Sequence, residues 1–214
     1  ADIGFTSSTV PNLVVDILTH SRVISYAACL TQLSAFLFFG CMDSMLLTVM
    51  AYDRFVAICH PLHYVVIMNP HRCYLLLLLS VFVSVLDSQL QNFTALQVTC
   101  FKDVEIATFF CETSKLLDLS CSDTFFKSIV TYMFGILFGF LPMSVIIFSY
   151  YKIVSALLNS PSSVGRYKTF STCSSHLSVV CLFYGTGIGT YLGSSASYSP
   201  RKGMVASLMY TVVT

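Results

Sequence analysis

The sequence predicts an all-α integral membrane protein, and three observations carry that expectation. The 214 residues are 56% hydrophobic and only 10% charged, against roughly 25% charged in an ordinary soluble domain. With 11 basic and 10 acidic residues, too few charges are present to keep a surface of this size in water. Uncharged stretches long enough for the roughly 20 apolar residues of a spanning helix recur along the chain. They lack the strict alternation of transmembrane strands and far exceed the roughly 10 residues such a strand uses. The same composition excludes two other classes. A net charge of +1 leaves no footprint for nucleic acid, and 18 Phe with 12 Tyr are incompatible with disorder. Trp, a common interfacial anchor, is absent.

The elements follow from the gaps between charges. An apolar segment over residues 1–18 reads as a partial span. From Val23 to Met42, 20 residues carry no Asp, Glu, Lys or Arg, and after Asp43 nine more pass before Asp53, which predicts a helix over about 23–58. Cys73 to Phe101 is a stretch of 29 residues interrupted only by Asp87; a helix over about 72–91 and a loop over 92–126 are expected. Ser128 to Tyr151 is 24 residues without a charge, predicting a helix over about 127–157. The run NSPSSVG, Asn159 to Gly165, should break helix through its Pro, Ser and Gly. Thr169 to Pro200 then offers 32 residues with His176 as the only titratable interruption of that kind, for a helix over about 166–193. A last partial span covers 202–214. Four complete spans and two partial ones describe a single bundle domain, 1–214. The start at Ala1 and the stop at Thr214 look like cuts in a larger bundle, and no signal peptide is visible.

Basic residues do not orient the bundle. Arg54, Arg72, Lys152, Arg166 and Lys168 fall on one side, and Arg22, Lys102, Lys115, Lys127, Arg201 and Lys202 on the other. Cysteines are more informative, because disulfides persist on the oxidising face of a membrane. Cys100, Cys111 and Cys121 share the long loop, and Cys29 begins the neighbouring span on the same side. Two bridges in an extracellular loop are expected; the competing metal cluster lacks CxxC or HxxxH spacing. No HExxH, GxSxG, P-loop or paired-acid constellation points to an enzyme. Cys173 and His176 lie one helical turn apart, but two ligands do not make a metal site. His60, His63 and His71 read as solvated loop residues. Asn92-Phe93-Thr94 is a sequon at a helix edge, a poor glycan acceptor.

Asp43 is the most informative single charge. A carboxylate between Phe36 and Leu47 costs roughly 2.5 to 3.5 kcal/mol unless it faces the bundle interior and finds a partner.

The run MAYDRFVAICHPLHY, Met50 to Tyr64, resembles the signature at the inner end of the third helix of olfactory receptors, a branch of the rhodopsin-like G-protein-coupled receptors. Four further motifs agree in order. ADIGFTSSTVP at the start resembles the family's second helix, SYYKIV at Ser149 to Val154 its fifth, KTFSTCSSHLSVV at Lys168 to Val180 its sixth, and ASLMYTVVT at the end its seventh. Phe55 departs from the family's usual Tyr. The first helix and the Asn-Pro motif of the seventh are not in the sequence.

The resemblance implies a seven-transmembrane helix bundle in the plasma membrane, lacking here its first helix and the end of its seventh. It implies an odorant receptor that couples to a heterotrimeric G protein of the stimulatory olfactory type, with a transporter or channel as the alternative. The repeat symmetry common in transporters is not visible. No cofactor is implied. The disulfides become Cys29–Cys111 and Cys100–Cys121. Asp53 and Arg54 become a latch at the cytoplasmic mouth, facing Tyr150, Arg166 and Lys168. Asp2 becomes the neighbour of Asp43, and the two carboxylates either share a proton and hydrogen bonds or hold a sodium ion. Helical spacing groups Leu37, Gly40, Cys41 and Ser44; Phe134, Gly135 and Phe138; and Tyr184, Gly187, Ile188 and Tyr191. By itself such a stripe of small and aromatic residues is a packing surface; the resemblance turns it into odorant contacts.

Overall fold

The structure, a computed structural model, describes Gly4, Ser7 and residues 26–98, 124–159 and 163–196. All regular structure among them is helical: α1 Tyr26–Cys59, a 3-10 turn Pro61–His63, α2 Tyr64–Ile67, α3 Pro70–Val98, α4 Thr124–Leu158 and α5 Ser163–Ala196. Among these, Ala27–Cys59, Pro70–Leu96 and Met133–Leu158 are long and apolar enough to cross a bilayer.

Local chemistry sets the ends. α1 stops at Cys59 because the residue before Pro61 is driven out of the helical region, and His60 takes φ −133° and ψ 55°. α3 starts on Pro70, whose missing N–H is harmless in a first turn. Asn69 caps it, its Oδ1 accepting the Arg72 backbone N–H at 2.8 Å. Pro142 lies buried inside α4, where it removes a backbone hydrogen bond.

Two expectations need correction. Residues 92–98, expected as loop, continue α3. Two of their polar groups find partners while the backbone stays helical: Asn92 Nδ2 donates to Ser34 Oγ at 2.6 Å and Thr94 Oγ1 to the Leu90 carbonyl at 2.9 Å, although Asn92 Oδ1 is buried without a partner. Residues 163–165, expected to break the chain, are already helical in α5. α5 itself is not among the three helices that pass by apolarity, because its first half is rich in Ser and Thr. Ser175, Ser178 and Thr186 donate to carbonyls one turn back, which lowers the polarity they present.

The contacts divide the chain into two compact units. In the first, Ala1–Asp43 with Phe82–Phe138, Cys29, Leu33 and Ala95 form an apolar cluster with Leu30 and Leu37 packed against it. Next to it runs a polar seam. Ser88 Oγ donates to the Ser34 carbonyl at 2.9 Å, Ser84 Oγ to the Met42 sulfur at 3.9 Å, and Gln91 Nε2 to Asp87 Oδ1 at 3.0 Å. Ser84, Asp87, Ser88 and Gln91 are buried while Phe82, Leu86, Leu90 and Phe93 are exposed. That arrangement is a water-soluble helix turned inside out, as expected where the solvent is hydrocarbon. Gly4 lies so close to the Phe39 ring that any Cβ would collide with it.

In the second unit, Ser44–Val81 with Gly139–Thr214, the core is Leu47, Ala51, Ile146, Tyr150, Ile153, Cys173 and Val180, with Phe55, Ile58, Leu157, Phe183 and Tyr184 against it.

Candidate functional site

The second unit holds the Asp53–Arg54 pair, and its geometry differs from a simple latch. Asp53 Oδ1 accepts a hydrogen bond of 2.8 Å from the Tyr64 hydroxyl. The turn at Pro61 and the short α2 carry Tyr64 back to α1, eleven residues on from Asp53. The hydrogen bond, together with the carboxylate's charge, holds the Tyr64 phenol above its ordinary value. Asp53 is thus held by a loop tyrosine. Arg54 lies within electrostatic reach of that Tyr64 phenol and also of Tyr150, Cys173 and His176.

Those three form a buried polar cluster. The Tyr150 hydroxyl bonds His176 Nδ1 at 2.7 Å and also donates, more weakly, to the Cys173 carbonyl at 3.4 Å. The Tyr150 and His176 rings stack at 5.8 Å with 19° between planes. His176 Nε2 is buried without a well-formed hydrogen bond, although a backbone group of Leu47 lies close. In the sequence Cys173 and His176 register only as two ligands too few for a metal site, and this bond is missed. The signal was present: a His on the otherwise apolar stripe of α5 requires a polar partner, and Tyr150 is the hydroxyl on the facing core.

Phe55, the departure from the family's usual Tyr, stands edge-on to the His60 ring at 5.7 Å and beside Tyr52 at 6.3 Å. Arg166 and Lys168 fall in the first turns of α5; their side chains lie outside the described set. His60, His63 and His71 are exposed.

The expected ligand residues separate by unit. In the second, Ser44 Oγ and the Tyr184 hydroxyl hydrogen-bond at 2.7 Å across 140 residues of sequence. Gly187 is half-buried and Ile188 is 49% exposed; Tyr191 lies in α5 with its side chain outside the described set. In the first unit, Phe134 and Phe138 stack with centroids 6.2 Å apart, and Gly135 faces open space. Leu37 packs on the apolar cluster and Gly40 is half-buried. Cys41 is buried, hydrogen-bonded to Ser84 and close to Asp87; it belongs to the seam with α3.

Cys29 is disulfide-bonded, whereas Cys41, Cys59, Cys73, Cys173 and Cys181 are free thiols. Cys100, Cys111, Cys121 and Asp2 lie outside the described residues. Asp43 is half-buried on α1. Among the described residues no group of three or more His, Cys, Asp or Glu could hold a metal ion.

Known proteins resemble this chain throughout. Residues 1–196 match the family described as 7 transmembrane receptor (rhodopsin family). The chain is 67% identical over all 214 residues to Olfactory receptor 7E24 of Homo sapiens, covering 63% of that protein. It is 64% identical over its whole length to Olfactory receptor 7E178 of Mus musculus, covering 65%, and 53% identical to Olfactory receptor 7C1 of Homo sapiens, covering 67%. The chain therefore spans a little under two thirds of the length of the first two. With the motifs, the lipid-adapted helices and these relatives in agreement, the chain belongs to the olfactory receptors of the rhodopsin family, multi-pass proteins of the plasma membrane that are not enzymes.

Proposed function

We propose that this chain is the part of an odorant receptor that senses a small volatile hydrophobic ligand and passes the signal to a stimulatory olfactory G protein. The observation that supports coupling is the position of Arg54. With Asp53 engaged by Tyr64, Arg54 lies within electrostatic reach of both that bond and the Tyr150 cluster, so a rearrangement of that core changes what Arg54 can reach. On the ligand side, the Ser44–Tyr184 bond joins two helices by a pair of hydroxyls beside Gly187 and Ile188. An odorant that competes for either hydroxyl, or fills the space a glycine leaves, alters that junction. Leu37, Gly40, Phe134 and Phe138 are further proposed contacts by resemblance. Asp43 is proposed to share a proton or a sodium ion with Asp2.

The test is Arg54→Ala in a full-length receptor carrying this sequence. Odorant-evoked cyclic AMP should fall to background while surface expression and ligand binding persist. An unchanged cyclic AMP response removes Arg54 from the mechanism.

A further inference from the structure

Within the second unit a cavity of about 460 Å³ opens among α1, α2, α3 and α4. Met45, Val49, Met68, Leu75, Leu79 and Val145 make most of its wall. The Thr48 and Ser80 hydroxyls in the wall are already used. Thr48 Oγ1 donates to the Ser44 carbonyl at 2.9 Å and approaches that of Pro142 at 3.4 Å, and Ser80 Oγ donates to the Leu76 carbonyl at 2.8 Å. An occupant therefore meets hydrocarbon, apart from the Tyr52 phenol and the Arg72 guanidinium.

Three features identify the occupant. Leu75 and Leu79 are 49% and 52% exposed on a helix that crosses the bilayer, so the mouth of the cavity faces lipid rather than water. Arg72 stands in the first turn of α3, fixed there by the Asn69 cap, and its exposed guanidinium has no carboxylate partner among the described residues. From Arg72 to Ser80 the wall descends about 12 Å at 1.5 Å per residue, from a permanent cation at the membrane boundary into the apolar interior. A charge at the interface with an apolar slot beneath it complements an anionic amphiphile.

We propose that this cavity seats one acyl chain of an anionic phospholipid, with Arg72 holding the headgroup. The lipid would brace α2 and the Asp53–Tyr64 bond, since Ile67 and Met68 of that connection line the same cavity. The inference does not depend on odorant binding or coupling, because occupancy is read directly.

A full-length receptor carrying this sequence would be placed in phosphatidylcholine nanodiscs doped with a diazirine-acyl phosphatidylserine or the matching diazirine phosphatidylcholine. After photolysis, peptides are mapped by mass spectrometry. Phosphatidylserine should label the peptides containing Leu75–Leu79 or Val145 about fivefold more than phosphatidylcholine, the preference one interfacial Arg supplies. Arg72→Gln should bring the two lipids to parity, and Val145→Phe, which fills the slot, should lower labelling by both. Excess inorganic phosphate should change nothing. Equal labelling by the two lipids that ignores both substitutions would mean ordinary lipid contact and overturn the proposal. Loss of the preference in phosphate would mean a free-anion site and also overturn it.

Discussion

Removing the Tyr150 hydroxyl is the most direct test of the polar cluster, because the structure dictates both a cost and a rescue. Tyr150 and His176 are 8% and 7% exposed and joined by a 2.7 Å bond. In Tyr150→Phe, His176 Nδ1 loses its partner, and Nε2 already lacks a well-formed one, so the imidazole is left in the core with no more than its approach to the Leu47 backbone. Interhelical hydrogen bonds within membranes average about 0.6 kcal/mol, while orphaning a buried polar group costs about 1 to 3 kcal/mol. The orphan dominates, and the net loss should exceed 1 kcal/mol. At about 2 to 4 °C per kcal/mol for a chain of this size, the melting temperature of purified receptor should drop by several degrees. Tyr150→Phe/His176→Phe should recover most of it, because two rings stacked at 5.8 Å can remain stacked with no polar atom left unpaired. Thermal unfolding of wild type, both single variants and the double variant in one detergent supplies the cycle. Additive losses, with a coupling near zero, would refute the claim that this bond and not general packing ties α4 to α5.

Other outcomes follow from the same geometry. Non-reducing peptide mapping of surface-expressed receptor should find Cys29 joined to Cys111 and Cys100 to Cys121, the latter closing a loop worth roughly 3 kcal/mol in the chain-entropy model; Cys29 joined to Cys100 would contradict the pairing. Tyr64→Phe releases the Asp53 carboxylate from the turn at Pro61 and changes the charges beside Arg54, so the maximal odorant-evoked cyclic AMP should fall at unchanged surface expression, and an unaltered maximum would separate that bond from coupling. Because the Tyr64 phenol sits above its ordinary value, the bond is fully present below about pH 10 and lost only as pH rises through the raised value; in a tyrosine carbon NMR titration, the signal that Tyr64→Phe removes should titrate late. Gly187→Val should reduce potency more for longer agonists in a homologous series, at about 0.8 kcal/mol per displaced methylene, whereas a uniform loss with poor surface expression would make Gly187 a packing residue.

Much of this protein is determined by local chemistry and is readable in the chain. Charge gaps locate helices because a charge in hydrocarbon is costly wherever the fold places it. Pro61 ends α1, and Asn69 with Pro70 starts α3, through steric and hydrogen-bond rules that act within a few residues. The run from Met50 to Tyr64 carries the family by itself. What tertiary structure alone decided are the partners across helices. Asp53 looked like the partner of its neighbour Arg54, yet successive residues on a helix do not face one another, and the carboxylate is taken by Tyr64 once the chain has turned back. Cys41 shares a helical stripe with Ser44, but Cys41 meets Ser84 while Ser44 meets Tyr184, since three residues along a helix are about 300° of rotation and the neighbours on either side differ. The polar face of α3 was invisible as a motif, because Ser84, Asp87, Ser88 and Gln91 acquire meaning only when one side of the helix is covered by protein and the other by lipid. Spacing determines which residues share a face; the packed bundle determines what that face meets.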